Sequence, residues 1–328
     1  MTNLSLLDHQ NFEARVAPQR SELLAHCYRM MGSLSDAEDL VQETLLRAWR
    51  RRDTYVEDAS LRAWLYRIAT NACLDALRKR RRRVIPLNYE EESSAADPIP
   101  PAVSDPIWLE PFPDALLAPL DQHPEGRLLI RETLSIAFMA ALQLLTPRQR
   151  AVLLLSDVLD WSDAEIADLL GTSVSAVKSA LHRARAGTAE AKRGQFQEAS
   201  LIQDEALRVQ VSAYVRAWET ADVEGLIALL RDDATFSMPP IPSWYRGREE
   251  IRRLVSRTVF AGEASGRWRL LPTRANGQIT FGLYRQAESG GWRAYGIQVL
   301  TPFEYQIADI ITFRDPALAA RFGLPDTV

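Results

Sequence analysis

The chain has 328 residues, 47% of them hydrophobic and 25% charged, with a formal net charge of −4 and a pI near 5.7. That length leaves room for several domains with cores of their own, while no apolar run approaches the ~18 residues of a membrane span. Cys27 and Cys73 sit inside apolar helical patterns without C-x-x-C spacing, so neither a disulfide framework nor a metal site is expected, and no cofactor is implied. The start carries no signal-peptide pattern, which points to a cytoplasmic protein with no membrane partner.

Residues 1–20 carry little signal. From Glu22 to Met31 the positions Leu23, Leu24, Cys27, Tyr28 and Met31 predict a helix that Gly32 ends. Ser35 and Glu38 read as a capping box opening a longer helix with an apolar stripe of Ala37, Leu40, Val41, Thr44, Leu45, Ala48 and Trp49. Its other face presents Asp36, Asp39, Gln42, Glu43, Arg47 and Arg50. A polar loop with one aromatic, Tyr55, leads to a third helix from about Leu61 to Arg83. There Leu61, Trp64, Leu65, Ile68, Ala69, Ala72 and Ala76 are expected inward, and Arg62, Tyr66, Arg67, Thr70, Asn71 and Arg78 outward. The run Arg78 to Arg83 is six cations that cannot pack together, and its favourable partner is a polyanion.

Pro86 to Glu125 holds nine of the chain's 18 prolines with Glu90, Glu91, Glu92, Asp97, Asp105 and Asp114, and is expected to be extended or disordered in isolation. Inside it lies an apolar island, Trp108-Leu109-Glu110-Pro111-Phe112-Pro113-Asp114, which suggests docking onto a surface. The stretch Trp161 to Arg185 then reads as two short helices joined by a tight turn. Ser162 and Glu165 box the first, Gly171 stops it, and Thr172 or Ser173 caps the second. Val174, Val177, Leu181 and Ala184 face inward, while Lys178, Ser179, His182, Arg183 and Arg185 form an outer face suited to base edges and phosphates in a major groove.

Beyond Glu205 the pattern changes to helices at Ala206–Thr220 and Val223–Leu230, a strand at Ala234–Met238 and a helix at Arg248–Phe260. Aromatic and β-branched runs follow at 267–274, 278–286, 291–300 and 305–313, separated by Asn276-Gly277 and Ser289-Gly290-Gly291 turns. Helices followed by an antiparallel meander imply an α+β domain with a curved sheet wrapped on helices.

Three ordered stretches carry a resemblance: LSDAEDLVQETLLRAWR, LRAWLYRIATNACLDALRKR, and LTPRQRAVLLLSDVLDWSDAEIADLLGTSVSAVKSALHRARA. They resemble the two conserved domains of an extracytoplasmic-function (ECF) sigma-70 factor of bacterial RNA polymerase. The stretch DATFSMPPIPSWYRGREEI, in its setting, resembles the SnoaL-like (NTF2-like) cone, and the combination is similar to the long-tailed ECF subgroup of sigma-G type. The implied architecture is multidomain: two all-α sigma domains, the second a helix-turn-helix, plus a C-terminal α+β SnoaL/NTF2-like cone. Region 2 would span 1–85, the linker 86–126, region 4 127–195 and the tail 204–328.

The resemblance implies site residues. Asp39, Gln42 and Glu43 would dock on core RNA polymerase. Tyr55 and Asn71 would hold a flipped base of the single-stranded −10 element, one by stacking and one by hydrogen bonding, with Arg67, Arg78 and Arg80 on the same DNA. Lys178, Ser179, His182 and Arg183 would read the duplex −35 element, with Arg148 and Arg185 on phosphates. Many relatives carry arginine where Lys178 and Ala180 stand here, so the −35 preference does not carry over. Within the linker, Trp108, Leu109, Glu110 and Pro111 are the docking candidates, and the tail is expected to make an intramolecular contact with the sigma domains or with this motif.

The cone's candidate pocket for a small ligand is lined by Trp218, Phe236, Met238, Trp244, Tyr245, Trp268, Tyr284 and Trp292. The tail has no histidine, and Asp232 and Asp233 sit at a helix-to-strand turn, so the chain is not expected to be an enzyme. Two other readings compete with a sigma factor regulated by its own tail. One is a helix-turn-helix regulator sensing a ligand through the SnoaL-like domain; the other is a SnoaL-like isomerase or cyclase fused to a DNA-binding module.

Overall fold

The computed structural model describes residues 9–55, 60–79, 81–105, 107–117, 133–199 and 204–328. The chain divides into two compact units, Met1–Arg83 with Leu116–Ala191, and Val84–Ala115 with Lys192–Val328. Each unit is therefore built from two stretches of sequence. Among the described residues no helix is long and apolar enough to cross a membrane.

The first unit holds α1 (His9–Val16), α2 (Arg20–Met31), α3 (Leu34–Arg50), α4 (Leu61–Leu77), α5 (Ile136–Leu144), α6 (Pro147–Asp157), α7 (Asp163–Leu170) and the start of α8 (Val174–Ala199). Gly32 ends α2 in the left-handed conformation, as its position predicts. The cap of α3 is Ser33, whose hydroxyl accepts from the Asp36 amide, rather than the expected Ser35. Ser35 instead bonds the Ser33 hydroxyl at 3.1 Å.

Tyr66 and Thr70, expected to face out, are both buried. The α4 helix packs against α2 as well as α3, so two of its sides are covered. Helix α4 also stops at Leu77, before the cationic run, with Arg78 as its C-cap, and Arg83 is not a solvated cation: it pairs with buried Asp36 at 2.9 Å. Trp64, placed in the core by spacing, is half-buried against the ring of Tyr55.

The helix-turn-helix forms as its spacing predicts. Ser162 and Glu165 complete a capping box, Gly171 takes φ 59°, and the Ser173 hydroxyl caps α8 by accepting from Ala176 N–H at 3.2 Å. Val177, Leu181 and Ala184 are buried, but Val174 is 41% exposed because it lies in the first turn of α8, before the helices cross. A second capping box, Thr146 with Gln149, starts α6.

The second unit holds α9 (Asp204–Thr220), α10 (Val223–Ala228), α11 (Arg248–Arg257), α12 (Leu318–Arg321) and one six-stranded sheet in the order β2-β1-β6-β5-β4-β3. The strands are β1 (Leu230–Ser237), β2 (Trp244–Arg246), β3 (Trp268–Ala275), β4 (Gln278–Gln286), β5 (Trp292–Phe303) and β6 (Gln306–Phe313). The last four form the expected antiparallel meander, while β1 joins β6 in parallel. One face of the sheet and the helices enclose an aromatic core in which Trp218 meets Phe260 and Trp268 edge-on and Tyr214 stacks on Phe281.

The linker segment Val84–Ala115 belongs to this unit as a strap across the tail. Ser93 N–H donates to the Trp244 carbonyl, and the Trp244 indole N–H donates to the Glu90 carbonyl. Val103 N–H reaches the Pro240 carbonyl at 3.0 Å. The apolar island then docks on the β3–β4 hairpin. Phe112 and Asn276 exchange two bonds, Phe112 N–H to Asn276 Oδ1 at 2.8 Å and Asn276 N–H to the Phe112 carbonyl at 2.9 Å. Gly277 N–H donates to Asp114 Oδ1, and Arg274 pairs with the same carboxylate. Trp108 donates to the Val103 carbonyl and meets Tyr89 edge-on, while Leu109 and Phe112 are buried. Of the docking candidates, Trp108 and Leu109 build the strap's own fold, while the hydrogen bonds to the hairpin come from their neighbours Phe112 and Asp114.

Asn276 has two jobs, since it holds φ 57° at the turn and caps the strap. Asn276→Gly keeps the turn and loses the side-chain bond, and should cost about 1–2 kcal/mol in the tail's urea unfolding. Asn276→Ala also forces a Cβ residue without that bond into the left-handed region and should cost about 1 kcal/mol more. Equal stability of wild type and both variants would show that the strap is not held here.

Candidate nucleic-acid interface

Helix α4 presents Arg67, Asn71 and Arg78 on one exposed face, spaced so that they follow one another along the helix surface. Behind them α4 is held by α2. His26 bonds Thr70 Oγ1 at 3.0 Å and meets Tyr66 edge-on, and the Tyr66 hydroxyl donates to Glu22. Burial, with Arg29 nearby, pushes the His26 imidazole down to about 3, so it stays neutral in the fold.

This face of α4 lies against the α6–α7 segment of the same unit. Arg67 Nη2 pairs with Asp168 of α7 at 2.6 Å. Beside that pair is a cleft of about 310 Å3 lined by Asn71, Leu74 and Arg78 from α4, Thr146, Pro147 and Arg148 from the start of α6, and Leu169 and Leu170 from the end of α7.

Two buried guanidinium groups pin this arrangement. Arg150 of α6, 1% exposed, donates to Gln143 Oε1 at 2.6 Å, to the Gln143 and Leu145 carbonyls, and to the Met30 carbonyl at the end of α2. Arg29 of α2 donates to the Thr133 hydroxyl at 2.7 Å and to the Thr133 carbonyl. Burial pushes both arginines down to about 10, which leaves them charged at neutral pH.

Tyr55 is 7% exposed, tilted against Trp64 with ring centroids 5.5 Å apart, and its hydroxyl accepts a long bond from Arg15. Arg80 lies outside the described residues. Asp39 and Gln42 are exposed on α3, and Glu43 pairs with Arg47 at 2.7 Å. On α8, Lys178, Ser179, His182 and Arg183 are exposed together, and Arg185 pairs with Asp157 at 2.7 Å. Arg148 is exposed and faces the cleft beside α4.

The residues expected to line one pocket in the tail are not brought together but divide into separate sets. Trp218, Met238, Tyr245, Phe236 and Trp268 share the inner core. Trp244 bonds the strap, Trp292 donates to the Gly266 carbonyl beneath Arg269, and Tyr284 donates to the Pro325 carbonyl on the other side of the sheet. Asp232 pairs with Arg248 at 2.9 Å and Asp233 with Arg231, with both carboxylates exposed at the surface.

The family descriptions Sigma-70 region 2, Sigma-70 region 4 and SnoaL-like domain match residues 16–83, 135–186 and 211–320. The chain is 42% identical over 320 residues to the ECF RNA polymerase sigma factor SigG of Mycobacterium tuberculosis, covering 97% of this chain and 85% of that one. The chain belongs to the ECF sigma factors. It is also 30% identical to the ECF sigma factor SigJ of M. tuberculosis over 243 residues, 72% of this chain and 69% of that one. The crystal structure of SigJ shares the fold, with a TM-score of 0.62 and 24% identity over 97% of this chain and 100% of that one. ECF sigma factors are transcription initiation factors rather than enzymes, in keeping with the exposed surroundings of Asp232 and Asp233.

Arg29, Arg150 and Asp168 escape sequence reasoning, since a charged residue on a helix reads as solvated surface. The available signal is local: Arg150 is followed by the unbroken apolar run Ala151–Leu155, which leaves that stretch of α6 little solvated surface.

Because His26 is neutral in the fold while the unfolded chain takes up a proton below about pH 6.5, unfolding binds a proton there and stability falls with pH. Between pH 6.5 and pH 4 this group alone should remove about 3 kcal/mol. Urea unfolding of wild type and His26→Gln across that range checks it. The difference between the two should change with pH by that amount, and parallel curves would refute the assignment.

Proposed function

We propose that this ECF sigma factor binds core RNA polymerase in the cytoplasm through the exposed Asp39 and Gln42 face of α3 with Glu43, and directs initiation at promoters bearing −10 and −35 elements. The family match over nearly the whole chain carries this reading. Region 4 would read duplex DNA with the exposed Lys178, Ser179, His182 and Arg183 of α8, with Arg185 on phosphate. Region 2 would hold single-stranded −10 DNA with Arg67, Asn71, Arg78 and Arg80, and Tyr55 would supply a stacking wall once its ring is uncovered from Trp64.

The same geometry supports a closed resting form. Arg67 cannot serve DNA while paired with Asp168, and Asn71 and Arg78 line the cleft against region 4. Promoter engagement then requires α4 and α7 to part, at the cost of the buried Arg150 and Arg29 bonds. The tail modulates the same step: its hairpin holds the connector that leaves Arg83, so the strap has to leave the hairpin before the connector is free to thread into polymerase.

Run-off transcription with purified core polymerase on promoters selected from a genomic fragment pool tests the reading. Full-length protein should yield specific transcripts that a Tyr55→Ala/Asn71→Ala variant loses by about tenfold or more, the equivalent of one lost base-stacking contact. Truncation before Glu205 should change output from the same promoters. No transcripts from either form would sink the initiation reading, and identical output from both would sink tail control.

Asp168→Arg replaces attraction at Arg67 with repulsion. It should raise affinity for a fluorescent single-stranded −10 oligonucleotide severalfold, since losing an exposed pair and adding a like charge together shift the balance by roughly 1 kcal/mol. Unchanged affinity would show that region 4 does not cover the reading face in solution.

A further inference from the structure

The cleft between α4 and the helices of region 4 has chemistry that covering a DNA-reading face does not require. Its floor is apolar, from Leu74, Pro147, Leu169 and Leu170. Among the described residues its polar groups are Asn71 and Thr146, its charges are the guanidinium groups of Arg78 and Arg148, and no carboxylate lines it. Arg78 leans on Asp75 at 3.0 Å with its side chain 73% exposed, and Arg148 is exposed. A volume of about 310 Å3 lies at the small end of ligand pockets.

We propose that this cleft binds a nucleoside phosphate. A flat base fits the leucine and proline floor, with its donor and acceptor edge against the Asn71 amide, which can both give and take a hydrogen bond. The phosphate lies between Arg78 and Arg148, whose planar forks match it. Helix α6 begins at this point with Thr146 as its cap, so its dipole adds to the attraction for an anion. The cleft thus offers one small molecule the same groups that would meet a base and a phosphate in promoter DNA.

The ligand touches both regions at once, and this sets its effect. Binding exists only while α4 and region 4 are together, so the ligand stabilises the closed form in proportion to its concentration. Promoter DNA competes for Asn71 and Arg78, and each weakens the other by the same factor. Nucleotide supply would thereby be read by the factor before it reaches polymerase. The inference rests on the closed arrangement and requires neither polymerase nor a promoter.

Isothermal titration of the full-length protein alone, with ATP, GTP and UTP, tests it, alongside adenosine and inorganic tripolyphosphate. At least one nucleotide should bind with saturable one-to-one stoichiometry, and adenosine and tripolyphosphate should each bind about tenfold more weakly or worse. Arg78→Ala/Arg148→Ala should weaken the nucleotide about tenfold or more, the loss of a charge-assisted contact. Leu170→Trp, which fills the floor and leaves both charges, should also abolish it, with circular dichroism melting confirming that each variant folds.

Absence of binding by all three nucleotides at millimolar concentration overturns the proposal. Tripolyphosphate binding as tightly as ATP reduces the cleft to a cationic surface and overturns it equally. Wild-type affinity in both variants places the nucleotide elsewhere. Run-off transcription is scored separately: promoter firing without nucleotide binding to the free protein removes the cleft and leaves initiation intact, and the converse removes initiation alone.

Discussion

Arg150 is the constraint on which the first unit depends. A guanidinium taken fully out of water is tolerable only where most of its N–H groups find acceptors; here both terminal nitrogens do, at Gln143, Leu145 and the end of α2 at Met30, while Nε has none among the described residues. Those acceptors belong to different helices, so the charge cannot be satisfied unless α2, α5 and α6 meet. Arg29 makes the reverse reach, from α2 to Thr133. Residues 104 and 120 positions apart in sequence are thus joined by polar bonds that have no good alternative short of exposing both arginines to water.

That kind of interface differs from an apolar one. Buried charge pays little net stability but separates cleanly, because a guanidinium leaving its site is rehydrated at once, whereas a bared leucine surface is not. An assembly that has to hold firmly at rest and then part for DNA is well served by it. The exposed Arg67–Asp168 pair adds register more than strength, since surface pairs contribute little.

Much of this was legible in the chain. Helix spacing located α2, α3, α4 and the helix-turn-helix, the Ser162–Glu165 box gave the start of α7, and the Asn276-Gly277 dipeptide marked the hairpin. The failures share a cause, which is contact between parts remote in sequence. Tyr66 and Thr70 read as outward because one helix stripe was assigned, while α4 is covered on two sides. For 86–125 the apolar island signals docking and the tail is one expected partner, but nothing local shows that Phe112 meets Asn276, 164 residues away. The parallel pairing of β1 with β6 is equally non-local. In the candidate interface the residue types were legible, but not that Arg67 and Asn71 face region 4, because side-chain type does not report which surface comes to cover it.

The strap has a consequence for how the chain is made. Residues 84–115 leave the ribosome long before the hairpin at 275–277 exists, so through most of synthesis the Trp108–Asp114 island has no partner and its apolar groups stay accessible. Regions 2 and 4 are complete by Ala191 and can close first, with the strap looped out between them. The second unit is then finished by a late, long-range step in which a folded tail recaptures a segment made earlier, the kind of non-local closure that forms slowly. Newly made protein would therefore pass through a period with its sigma regions assembled and its connector still free, a different population from the mature store of the same chain.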